Sequence, residues 1–260
     1  MQYVFVSALG LLPSANVAAA DWIKPRLRGF GSGVAAVVPD GFPAYVRILH
    51  PVCDARGRQS WADVAARSGC TMHRLAQFHA IARAAVASPA VAPQTGSLPI
   101  EQFRALCSIL GEHSGTADSC WFCLWEGYGQ LHGSTAVMSC SSSDGPPVSP
   151  PLPVPPIPAP EALNGPRVRL PFRNYILFEG SLDAAAELPE PFSGSLFSQS
   201  PNLFWPHDHA WCVASEIDLF CTLVAGTEAL ADALETDPRL ETWRVDPGDP
   251  IAHDSDRINT

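Results

Sequence analysis

Apolar positions along this chain change their spacing part-way, and the change separates a helical stretch from a strand-rich one. Between residues 60 and 112 they recur at helical intervals. Ser60 is placed to cap WADVAARSG with Gly69 as its stop, and Thr71 to cap MHRLAQFHAIARAAV. Residues 98–112 put Ile100, Phe103, Leu106, Cys107 and Leu110 on one stripe. From Cys120 onward the apolar runs are short and continuous. CWFCLW at 120–125 is apolar at every position, the pattern of a strand covered on both faces. YILF at 175–178, then 210–215 and 219–225, give three more strands. Thr227 caps a helix with Glu228 in its first turn, Asp237-Pro238 ends that helix, and LETWRV at 240–245 reads as an edge strand.

Ahead of the helical stretch, a helix starting at Ser14 or Asn16 runs through Trp22 until Pro25 stops it. Residues 34–38 read as a strand ended by PDG, and 42–49 as a strand or short helix before His50-Pro51. Nine prolines among the fifteen residues 146–160 (PPVSPPLPVPPIPAP) exclude helix and sheet and give a semi-extended segment. The strands on either side of it lack partners of their own, so they are expected to join one sheet with the proline segment looped out. The fold class is therefore α+β: a mostly antiparallel sheet, a helical layer from the N-terminal half and a proline-rich inserted loop. The expected layout is a peripheral segment 1–20, a first half 21–145, the loop 146–160, a strand-rich acidic second half 161–245 of the same domain, and a flexible tail 246–260.

Composition adds a bias that the pattern does not show. Of 260 residues 47% are hydrophobic and only 16% charged, enough for a sizeable core. Residues 1–145 hold 10 basic and 9 acidic side chains, whereas 146–260 hold 6 and 17. The net charge of −10 thus sits in the second half. A field of that sign argues against nucleic acid as a ligand and steers a basic protein partner toward this half. No run reaches the ~20 apolar residues of a membrane helix. Residues 4–12 followed by Ala18-Ala19-Ala20 also fit a signal peptide cleaved after Ala20, but no basic residue precedes the apolar run. The expected location is cytoplasmic, with secretion as the alternative. The eight cysteines lie mostly inside apolar segments, as reduced core thiols do.

Three groups of residues could carry chemistry. His207 and His209, in a polar turn, present both imidazoles on one side of an extended segment; with Cys212 and Asp218 they are the candidate metal ligands, for zinc or another divalent ion if a cofactor is present at all. Glu126, Glu179 and Glu216 would converge as candidate catalytic carboxylates if the strands at 120–126, 175–179 and 211–217 are neighbours. Cys120 and Cys123 form a CxxC, yet residues i and i+3 of a strand face opposite ways, so they read as two core cysteines. GxSxG, HExxH, P-loop and GxGxxG patterns are absent.

The segments ADWIKPRL, GFPAYVRILHP, CWFCLWEGYG, NYILFEG and NLFWPHDHAWCVASEIDLFCTLVAG resemble a protein family of high-GC actinobacteria that has no assigned activity. That resemblance implies an intracellular protein and a peripheral residues 1–20, and supplies no cofactor or partner. Two function classes follow from the residues. One is a non-catalytic interaction protein, immunity- or adaptor-like, with an acidic C-terminal half. The other is a metal-assisted hydrolase using His207 and His209 with Glu216 or Asp218.

Overall fold

The computed structural model describes residues 10–29, 31–54, 57–84, 92–128, 160–187 and 200–259. Its frame is a nine-stranded sheet in which every pairing is antiparallel. In chain order the strands are β1 (Leu12–Pro13), β2 (Ala44–Leu49), β5 (Cys120–Trp125), β6 (Val168–Arg169), β7 (Asn174–Gly180), β8 (Leu203–Pro206), β9 (Cys212–Ala214), β10 (Cys221–Gly226) and β11 (Thr242–Arg244), while β3 (Val52–Asp54) and β4 (Gly57–Gln59) form a separate hairpin. Across the sheet the order is β1-β7-β5-β8-β9-β10-β2-β11, with β6 beside β1 on the outer edge of β7. The fold is α+β with a mostly antiparallel sheet, as the apolar pattern implied.

Two layers cover the sheet. On one face lie the helices α3 (Ile100–Glu112), α5 (Leu182–Ala186) and α6 (Glu228–Thr236), with Ala162 of α4 (Pro160–Asn164); they bury Val46, Ile48, Phe122, Phe204, Trp211, Val213 and Val224. The N-terminal half supplies α3, and the second half the other helices of this layer. On the opposite face the cover is irregular backbone from residues 20–38 and 245–251, over Tyr45, Cys123, Leu177, Trp205, Cys212 and Leu223. A third cluster at the end of β2 joins α1 (Trp61–Ser68) and α2 (Phe78–Ala84) through Trp61, Val64, Phe78 and Ile81.

Local chemistry explains the element ends. Ser60 accepts from the Asp63 amide while the Asp63 carboxylate accepts from Ser60 N–H, a capping box, and Gly69 closes α1 in the left-handed region at φ 69°. Thr227 caps α6 by accepting from the Leu230 amide at 3.2 Å. Where the structure departs from the sequence reading, another segment has taken the backbone groups. Residues 34–38 are not a strand: Val34–Ala36 is a 3-10 turn whose first two amides donate to Asp249 O and Pro247 O. A Cβ at Gly33, φ 92°, would strike the Asp249 carbonyl. The helix expected from Thr71 begins only at Phe78, because Asn259 holds the Thr71 N–H and C=O and Asp256 accepts from Gln77 N–H. In place of one helix from Ser14 or Asn16 to Pro25 stand two 3-10 turns, Val17–Ala20 and Lys24–Arg26, and Leu203–Pro206 forms a strand of its own, β8, ahead of the one expected at 210–215.

Residues 246–259, read as a flexible tail, are held against the body. Asp256 is buried and bonds His73 Nε2 at 3.0 Å as well as the amides of Gln77, Ile258 and Asn259. Residues 146–159 of the proline segment lie outside the described residues. The strands on either side of it, β5 and β7, pair from Cys120↔Gly180 to Trp125↔Tyr175.

Candidate functional site

The β8–β9 hairpin separates the sequence-derived candidates, because its turn and its open end lie at opposite ends of the sheet. The turn, 207–211, is built around Asp208. Its carboxylate accepts from Gly115 N–H at 2.8 Å and from Ser114 Oγ, while Asp208 N–H donates to Thr116 Oγ1 at 3.0 Å. Burial alone would raise that carboxyl, but the hydrogen bonds it accepts, from Ala210 N–H first and then from Gly115 N–H and Ser114, outweigh it and hold it below the usual range. His209 takes a left-handed φ of 54° and stacks on Trp22, ring centroids 4.4 Å apart. Burial, then the neighbouring His207 and Arg26, lower its proton affinity. His207 is exposed and donates its backbone amide to Ser119 O.

Cys212 lies fully buried under the irregular layer, its thiol pushed far up by burial and by Cys123. Asp218 is at the other end of the hairpin, bonded to Arg173. His207 and His209 stand two residues apart in a turn, not on the extended segment that would set both imidazoles on one side, and the structure does not bring Cys212 and Asp218 to them. Among the described residues no group of three or more His, Cys, Asp or Glu side chains could hold a metal ion.

At the open end two of the three candidate carboxylates share a neighbourhood. Glu216 accepts from Arg173 Nη2 at 2.5 Å and Nε at 3.1 Å, and Asp218 accepts from the same guanidinium at 2.8 Å. Arg173 lies 5.3 Å over the Trp125 ring. Glu126 accepts from Arg167 Nε at 3.0 Å and Asn174 Nδ2 at 2.7 Å. Glu179, opposite Trp121 and Leu12, is at the far end of β7. Antiparallel pairing of β5 with β7 puts Glu126 beside Asn174 and sends Glu179 the other way, and β8 intervenes between β5 and β9. Behind Arg173 a pocket of about 30 Å³ has room for one or two waters rather than a substrate.

The CxxC behaves as its spacing implied: Cys120 belongs to the helix-covered face and Cys123 to the other. Burial pushes the Cys120 thiol up to about 12, and Cys107 and Cys123 are also raised, so these sulfurs stay protonated at neutral pH.

A feature that sequence reading passed over lies on α6. Glu228, Asp232 and Glu235 follow one another along one helix stripe and converge on Arg244 of β11: Nη1 to Glu228 at 2.5 Å, Nε to Glu235 at 2.8 Å, and Nη2 to Asp232. Three carboxylates share one guanidinium, and the side chains of Glu228 and Asp232 are 64% and 72% exposed. Their i, i+4, i+7 spacing is the signal that could have found them.

Comparison of the chain with protein-family models, with curated proteins and with solved structures finds no match. Among the described residues no helix is long and apolar enough to cross a membrane.

Proposed function

We propose that this chain is a non-catalytic protein-binding module whose acidic C-terminal half receives a basic partner. The observation that carries this reading is the α6 stripe, where three carboxylates surround a single arginine and leave surplus negative charge in solvent. Such a stripe raises the local concentration of a cationic partner and speeds encounter, an effect that fades beyond about 8 Å at physiological salt. The candidate carboxylates Glu126 and Glu216 are already engaged by arginines, and burial holds the thiols of Cys107, Cys120, Cys123 and Cys212 protonated, which supports a role in contact rather than turnover.

The test is capture by the full chain and by a variant neutralised at Glu228→Gln, Asp232→Asn and Glu235→Gln. A basic protein retained by the unaltered chain at physiological salt is expected to be lost from the variant, with the melting temperature little changed. Recovery of the same proteins by both chains would sink the reading. Elemental analysis of natively purified, untagged protein addresses the hydrolase alternative: metal well below one ion per chain is expected. A full equivalent of zinc, manganese or iron, lost on joint replacement of His207 and His209 by alanine, would put metal-assisted hydrolysis in its place.

A further inference from the structure

The two edges of the sheet are finished differently. The outer edge of β7 is occupied by β6 at one end and β1 at the other, with Ser14 N–H continuing onto Leu177 O, and β1 itself is two residues long and contains Pro13. The opposite edge is β11, which among the described residues pairs with β2 alone. Leu49 N–H donates to Glu241 O at 2.8 Å and Val245 N–H to Tyr45 O at 3.0 Å, so residues 241, 243 and 245 turn their backbone groups toward β2. By the alternation of an antiparallel ladder, the N–H and C=O of Thr242 and Arg244 point outward. No described residue receives them.

Side-chain alternation at this edge is equally defined. Arg244 lies opposite Val46 on the helix-covered face and carries the three carboxylates of α6 along the rim. Trp243 turns to the other face, where it packs half-buried against the cluster of Trp61 and Phe78. Clefts of about 350 and 390 Å³ flank β11, the first lined by Glu241, Leu240 and Arg58, the second by Arg244, Val245 and Phe42.

We infer that β11 is a docking strand for an extended segment of a basic partner, added antiparallel outside Thr242–Arg244, with basic side chains facing the α6 stripe alternating with apolar ones facing Trp243. Main-chain bonds to the outward groups of Thr242 and Arg244 supply affinity, and the two faces supply the alternating specificity. Edge-to-edge pairing with a second copy is disfavoured, since it would bring two acidic stripes together. The inference rests on the interaction reading above and names the place and the chemistry of the contact.

The probe is a blocked hexapeptide alternating lysine and valine, with a glutamate–valine peptide as control, titrated into the full chain. Hydrogen exchange at the Thr242 and Arg244 amides is expected to slow at least about tenfold on saturation with the lysine–valine peptide, and the glutamate–valine peptide should not bind. Thr242→Pro removes an outward donor and leaves the bonds to β2 in place; it is expected to weaken binding roughly tenfold at an unchanged melting temperature. Absence of binding, unchanged exchange at those two amides, or full-strength binding by Thr242→Pro overturns the docking strand. If Thr242→Pro binds normally while the α6-neutralised chain does not, strand addition fails and the acidic interaction surface stands. If the neutralised chain also binds as the unaltered one does, that surface fails too.

Discussion

Trp61→Ala is expected to lower the unfolding free energy by about 4 kcal/mol, read as a fall in the urea midpoint at constant slope. Trp61 has no solvent exposure and packs on Phe78 with ring centroids 5.4 Å apart. Its indole N–H donates to His50 O at 2.8 Å, and the Arg47 guanidinium lies 5.3 Å over the ring. Truncation removes the one fully buried tryptophan of its cluster, opens a cavity where α1 meets β2, and leaves the His50 carbonyl without its donor. It also uncovers a buried cation: Arg47 is 3% exposed, with Nη1 on Ala76 O and Arg74 O and Nε without a partner. Trp61→Phe keeps most of the packing and loses the hydrogen bond, so a cost of roughly 1–2 kcal/mol separates the two contributions. A cost below about 1 kcal/mol for Trp61→Ala would mean that this cluster opens independently of the sheet.

Stability is expected to fall steeply between pH 6.5 and about 4, in large part through His50. The ring is fully buried, with Nδ1 2.6 Å from Gln94 O and Nε2 2.9 Å from Thr222 Oγ1. A carbonyl only accepts, so Nδ1 carries the hydrogen and Nε2 accepts from the Thr222 hydroxyl; that hydroxyl in turn accepts from Ser215, 2.7 Å away. Burial first, and then the Arg47 charge, bring the histidine down from 6.5 to about 4 against the opposing Gln94 bond. Between those values the unfolded chain binds the proton and the folded chain does not. The contribution of the neutral ring is therefore complete above pH 6.5 and is lost as the pH falls toward 4, by roughly 3 kcal/mol at most. Urea titrations at pH 7 and pH 4.5 should show a smaller acid loss in His50→Gln than in the unaltered chain, whatever the variant costs at neutral pH. Equal losses in both would remove His50 as the titrating group.

Elements that owe their shape to their own residues were legible in the sequence. The Ser60 and Gly69 ends of α1, the Thr227 cap of α6 and the all-apolar β5 follow from local rules. What escaped depends on partners far along the chain. Residues 34–38 have strand composition, but Pro247 and Asp249 take their amides, and Asp256 and Asn259 similarly take those of 71–77. At the site, the left-handed turn at His209 undoes the extended geometry that the His-x-His spacing implied, and the capture of Glu216 and Asp218 by Arg173 spans 43 and 45 positions. Glu126 and Glu216 do reach the same end of the sheet, and Glu179 does not, because strand order and register decide that and neither is written in a single strand.

The position of β2 bears on how the chain is made. All six of its residues are buried, and its two sheet partners, β10 and β11, come from the last quarter of the sequence. His50, just after β2, finds Thr222 172 positions later. At a synthesis rate of roughly 5–20 residues per second, AYVRIL waits about 10–35 s on the ribosome with both of its ladder edges open. Slow codons or a stall in that interval lengthen the exposure of an aggregation-prone segment, and chaperone occupancy on the nascent chain should end once β11 has emerged from the exit tunnel.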